Sequence, residues 1–125
     1  MPDTTPKLTP QHAEMLVLSV LSEGASYGYA VAKQIAARSD QALKLPPSQL
    51  YPLMTRLEKQ GLVTTDWEEV KAAETNEDAP GRRRKWYTLS AKGRKRLDQR
   101  IEAHRRFTRI IETFLPATDA ERSPA

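Results

Sequence analysis

The chain has no cysteine among its 125 residues. That rules out disulfides and thiolate chemistry and is compatible with a reducing compartment. No apolar run approaches the roughly 20 residues that span a bilayer. The opening Met1-Pro2-Asp3-Thr4-Thr5-Pro6 lacks a basic-then-apolar signal pattern. A cytoplasmic protein with no membrane partner is the expectation. The 2 histidines, His12 and His104, are far apart, and no His, Asp or Glu set shows metal-ligand spacing. There is no nucleophile–base pair with motif support and no phosphate-cradling glycine loop. The sequence therefore reads as neither an enzyme nor a metal or cofactor carrier.

What is present is charge, unevenly placed. Charged residues make up 29% of the chain and hydrophobic residues 38%, for a net charge of +4. This is the balance of one globular domain. Twelve of the 20 Lys and Arg residues fall between Arg82 and Arg109, opposed there only by Asp98 and Glu102. A clustered positive field attracts a polyanion, either nucleic acid or an acidic membrane surface.

Residues 1–8 and 116–125 are proline-rich and polar and are expected to be a flexible arm and tail. Thr9 is placed to cap a first helix with Pro10 at its first position, running to Glu23-Gly24. A second helix is expected from about Ser26 to Ala37, with Val31 and Ile35 on its core face. In the connection that follows, Leu43-Lys44-Leu45 alternates as a short strand would. A third helix follows Pro46-Pro47, with Ser48 as N-cap, Pro52 in the first turn and Gly61 just past the end. Its apolar stripe is Leu50, Leu53, Met54 and Leu57. Leu62 to Glu69 and Lys85 to Leu89 read as strands rich in β-branched and aromatic residues. Between them lie an acidic stretch, 70–79, and the run Gly81-Arg82-Arg83-Arg84-Lys85. Ser90 caps a long last helix, about Ala91 to Leu115, whose seam is Leu97, Ile101, His104, Phe107, Ile111 and Phe114.

Three helices followed by a two-stranded hairpin is the layout of a winged helix-turn-helix. The predicted fold is thus mainly α (α+β): a winged domain over 9–90 with a two-stranded wing, then a C-terminal dimerisation helix over 91–115. In that fold the third helix enters the major groove, where base edges are distinguishable. The face opposite Leu50, Leu53 and Leu57 carries Gln49, Thr55, Arg56 and Lys59. Gln suits adenine, Arg suits guanine, and the hydroxyls of Ser48 and Tyr51 suit phosphate oxygens. The bland alternative is a solvated helix face. The cations Arg82, Arg83, Arg84 and Lys85 are expected at phosphates or the minor groove. Pairing with the acids between Asp66 and Asp78 is the alternative. Trp67, Trp86 and Tyr87 are read as hairpin packing, and His104 as part of a helix–helix contact.

Several segments resemble a known family. Leu18-Ser19-Val20-Leu21-Ser22-Glu23-Gly24-Ala25-Ser26-Tyr27-Gly28-Tyr29 is similar to the first-to-second-helix signature of the PadR-type regulators, the phenolic-acid-decarboxylase repressor family. Lys44 through Leu53, containing Leu50-Tyr51-Pro52, resembles that family's recognition-helix start, and Arg56 through Val63 continues it. Gly81-Arg82 through Ser90, then Gly93, is similar to its wing return. The resemblance covers roughly residues 14–97 and fits the compact branch with a single C-terminal helix. It implies a dimeric bacterial repressor, often ligand-responsive, with DNA contact at Tyr29, Ser48, Gln49, Tyr51, Arg56 and Arg82 to Lys85. Arg83 departs from the pattern, standing where the family commonly has proline, and the acidic stretch after Trp67 is long.

Phe107, Ile111 and Phe114 lie beyond the winged domain and need burial, which a second copy provides at ~25 cal/mol per Å² of apolar area. Two-fold symmetry then sets two recognition helices on a near-palindromic operator. The expected partners are double-stranded DNA, a second copy and a small aromatic effector near Phe107 and Phe114, with nucleoid association through DNA. An RNA-binding winged helix and a protein-interaction module are the competing readings.

Overall fold

The computed structural model describes residues 7–69 and 83–117. Most of the segments expected as arm and tail, the acidic stretch 70–79 and Arg82 lie outside the described residues. Helix α1 spans Pro10–Ser22, strand β1 Ser26–Tyr27, helix α2 Gly28–Arg38 and helix α3 Pro47–Lys59. Strands β2, Val63–Glu69, and β3, Arg83–Leu89, follow, and helix α4 covers Ala91–Glu112. The expectation of a mainly helical winged-helix fold holds.

Local chemistry sets several boundaries. The Thr9 hydroxyl accepts from the His12 N–H at 3.1 Å, and Pro10 supplies a fixed φ at the first helical position. At the end of α3 the Leu62 N–H reaches the Leu57 carbonyl at 2.9 Å and the Gly61 N–H reaches Glu58 at 3.0 Å. This paired closure needs a left-handed residue between, and Gly61 has φ 75°. Ser90 accepts from the Gly93 N–H at 2.9 Å and donates to the Gly61 carbonyl at 2.6 Å. It thereby locks the start of α4 onto the end of α3. Gly93 is the contact point: a Cβ there would lie 1.9 Å from the Leu62 carbonyl oxygen.

The structure corrects five expectations. The sheet has three strands in the order β1-β3-β2, because Ser26 and Tyr27 pair antiparallel with Tyr87 and Trp86 instead of starting α2. Helix α3 begins at Pro47 with Pro46 as N-cap, so Ser48 is inside the helix and Pro52 sits past its first turn. Pro52 has no N–H to offer the Ser48 carbonyl. Leu43-Lys44-Leu45 is not a strand: the Ser39 hydroxyl takes the Leu43 N–H at 2.9 Å, and Leu45 packs into the core. Strand β3 starts at Arg83, so Arg83, Arg84 and Lys85 are strand residues rather than a turn. Helix α4 stops at Glu112, ahead of Pro116, which disfavours helical backbone in the residue before it.

The core joins the four helices and the central strand: Val17, Leu18 and Leu21 of α1, Val31 and Ile35 of α2, Leu50, Met54 and Leu57 of α3, Tyr87 of β3 and Leu97 of α4. Leu97, expected at a dimer contact, is 3% exposed in the single chain and belongs to the core. Ile101 packs half-buried against it. Glu14 of α1 is also buried. It accepts from Arg100 Nε at 2.9 Å and lies 3.3 Å from Arg96 Nε, which ties α1 to α4.

Candidate nucleic-acid interface

Burying Leu50, Leu53, Met54 and Leu57 turns the opposite side of α3 outward. Ser48, Tyr51, Pro52, Thr55, Arg56 and Lys59 are exposed there, and Gln49 is half-buried at the edge. Among the described residues, none of the side chains of Ser48, Gln49, Thr55, Arg56 and Lys59 is held in a hydrogen bond or ion pair. Their donors are therefore available to an outside partner.

Tyr51 leads from this row into a recess of about 440 Å³ lined by Tyr27, Gly28, Tyr29, Tyr51, Arg83, Arg84, Lys85 and Tyr87. Strand β3 supplies the cations, and the β1–α2 junction supplies Tyr27 and Tyr29. Five residues singled out from the sequence, Tyr29, Tyr51, Arg83, Arg84 and Lys85, thus meet in one place. Tyr27, Gly28 and Tyr87 were not singled out. Tyr27 and Gly28 stood inside the family-like segment, and Tyr87 was read as packing, which its burial supports.

Aromatic faces order the cations. The Arg84 guanidinium lies 4.9 Å from the Tyr27 ring centre and that of Arg83 4.8 Å from Trp67. Tyr27 is itself braced, edge-on to Trp86 at 4.5 Å and stacked beside Tyr29 at 6.4 Å. Its hydroxyl donates to Glu68 at 2.7 Å, a bond that pushes its pKa up. Stacking restricts the guanidinium planes while leaving N–H groups at their edges to donate. Trp86 packs on the hairpin, as expected of it, whereas Trp67 is 54% exposed and offers a ring face to Arg83.

Lys85 differs. Its Nζ is 2.8 Å from Glu58 Oε1, and Thr65 Oγ1 donates to Glu58 Oε2 at 2.8 Å. The Lys85 hydrogen bond, then that of Thr65, holds the Glu58 carboxyl below its ordinary range, and Glu58 in turn raises Lys85. The acid that meets Lys85 comes from α3, not from the 66–78 stretch. Burial raises the pKa of Tyr87, the neighbouring phenol.

Basic side chains, hydroxyls and amides displayed along one helix and an adjoining strand suit a polyanion carrying both phosphates and base edges. Residues 17–99 match the family described as the transcriptional regulator PadR-like family. The chain belongs to the PadR-like family of transcriptional regulators. It is a DNA-binding regulator, and the family's members are regulators, not enzymes. Solved structures of transcriptional regulators share its fold. A transcriptional regulator from Clostridium thermocellum is 29% identical, with TM-score 0.72, over 85% of this chain and 95% of that one. A PadR family regulator from Eggerthella lenta is 30% identical, with TM-score 0.67, over 85% and 83%. One from Clostridium difficile is 28% identical, with TM-score 0.65, over 82% and 97%.

The outer half of α4 is a second surface of this PadR-like chain. Every residue from Glu102 to Ala117 is exposed, Phe107 at 64% and Phe114 at 79% among them. Ile110 and Leu115 join that apolar group and were not singled out from the sequence. His104 meets His12 of its own chain edge-on, ring centres 5.5 Å apart. Both line a cavity of about 450 Å³ between α1 and α4, with Met15, Arg100 and Phe107; Phe114 does not line it. Among the described residues no helix is long and apolar enough to cross a membrane, and no set of three or more potential ligands is placed to hold a metal.

Proposed function

We propose that this chain is a repressor that binds a near-palindromic operator as a homodimer and is released by a small aromatic effector. The observation that carries the reading is the continuity, through Tyr51, of the unpaired row on α3 with the arginine-bearing recess. Gln49 and Arg56 read base edges, while Ser48, Tyr29, Tyr51, Thr55, Lys59 and the arginines 82–84 hold phosphates. The dimer seam is Phe107, Ile110, Ile111 and Phe114, whose exposure supports burial against a second copy. The α1–α4 cavity, lined by Met15, His104 and Phe107, is the seat for the effector. DNA binding places the regulator on the nucleoid.

Selection of bound genomic fragments followed by anisotropy titration tests this. The dimer should show a log K against log salt slope of roughly −4 to −8, near 0.9 per phosphate contact. Arg84→Ala should weaken all duplexes alike, whereas Gln49→Ala should chiefly weaken the selected one. Equal affinity for structured RNA, or no salt dependence, overturns the reading.

A further inference from the structure

We infer that Glu58 and Lys85 form a strut that fixes the angle between α3 and the wing, so that Lys85 is a positioning residue and not a phosphate contact. The inference rests on the DNA-binding reading above and assigns Lys85 a different part in it.

The geometry is a short triangle. Helix α3 and strand β2 diverge from one hinge, the left-handed Gly61 and Leu62. Glu58 stands just before the hinge and Thr65 just after it. Their 2.8 Å hydrogen bond closes the third side. The same carboxylate reaches across to Lys85 on the central strand, again at 2.8 Å. One side chain of the reading helix therefore holds both strands of the wing. Fixing the third side of a triangle fixes its angle, and this angle sets how far the wing cations stand from a duplex occupied by α3.

Among the described residues Lys85 is also the wing cation least free to leave. Arg83 and Arg84 rest on ring faces and meet no carboxylate in a salt bridge among the described residues, whereas the Lys85 ammonium is half-buried on Glu58. The rings of Trp67 and Tyr87 flank it at 5.7 and 5.8 Å. Turning Lys85 toward a phosphate would strand the Glu58 carboxylate beside a polyanion, where like charge repels.

That charge makes the test decisive. If Glu58 has no positioning part, Glu58→Gln removes a negative charge near DNA and leaves binding equal or tighter. The strut predicts the opposite. Glu58→Gln and Lys85→Met should each weaken binding to the selected duplex about 10-fold, and the double variant should lose no more than either single one. The salt slope should stay at the wild-type value in all three. Thr65→Val, a milder change, should lose a few-fold by the same route. Exchanging the pair, Glu58→Lys with Lys85→Glu, should recover part of what Lys85→Glu loses alone. Circular dichroism of each variant confirms folding before titration. A slope reduced by about 0.9 per subunit in Lys85→Met, additive losses, or undiminished binding by Glu58→Gln overturns the strut while leaving the DNA-binding reading intact. Wild-type protein that ignores duplex DNA overturns both.

Discussion

Leu97 and Phe114 occupy the same C-terminal seam, yet the first is 3% exposed and the second 79%. Between them α4 passes from one environment to another. Its inner half is built for its own chain: Gly93 admits the Leu62 backbone, Leu97 fills the core, and Arg96 and Arg100 meet the buried Glu14 of α1. Its outer half, from Glu102 onward, touches little of the chain and still carries Phe107, Ile110 and Ile111. Helical spacing makes a seam, but only the rest of the fold decides which neighbour covers each part of it. One continuous helix thus runs from the core of its own chain to an exposed apolar end, the part that the proposed dimer would bury.

Breaking the inner half should have the largest effect. Gly93→Ala forces a Cβ onto backbone at 1.9 Å, so neither side chain nor rotamer can relieve it. Loss of more than ~4 kcal/mol, enough to abolish a cooperative thermal transition, is expected; a melt within a few degrees of wild type would refute the close approach. Next comes a matched pair. Leu97→Ala should destabilise by ~2–4 kcal/mol through the cavity it leaves. Ile111→Asp with Phe114→Asp should leave the circular dichroism spectrum folded but give a monomer in sedimentation, and the concentration dependence of melting should vanish. An intact dimer in the second case erases the contrast between the halves.

The sequence made the local features of this contrast readable. Thr9 and Ser90 announce helix starts by hydroxyl caps, Gly61 announces an end, and the spacing of Leu50, Leu53, Met54 and Leu57 defines the buried side of α3 and so its outward side. Features with distant partners were not readable. Ser26 and Tyr27 are a strand only because β3 lies beside them. Nothing local marks Glu14 as buried; its partner Arg100 comes from the far end of the chain. Lys85 looked like one more wing cation until Glu58 met it from α3. Leu97 obeyed the same periodicity as Phe107, and its assignment to the core follows from the turn locked by Ser90. Periodicity reports which side of an element is apolar; it carries no address for the partner.

Smaller effects sharpen the comparison. Arg100→Met leaves the Glu14 carboxylate buried with only Arg96 beside it and should destabilise by ~1–3 kcal/mol. Truncations of Arg105 or Arg109 on the outer half should stay within ~0.5 kcal/mol. The smallest effect is one of pH. Because the Lys85 hydrogen bond, then that of Thr65, lowers the Glu58 pKa from its ordinary 4.5, its contribution is present above that value and fades as pH falls through the lowered one. Because Glu58 raises Lys85 above its ordinary 10.5, the same pair persists below that value and fades as pH rises through the raised one. In chemical denaturation Glu58→Gln should therefore fall slightly below wild type at pH 7, and the gap should narrow as pH falls below 4.5 toward 3. A constant difference between the two proteins across that range would show that the pair is not what titrates.

Footprinting of the regulator on a fragment selected from genomic DNA bears most directly on the whole account. Two α3 helices presented by a two-fold pair should protect two symmetric half-sites, centred about one helical turn or a whole number of turns apart. The Ile111→Asp, Phe114→Asp protein should give no such paired footprint at the same concentration. A single unsymmetric footprint, unchanged by those substitutions, would contradict it.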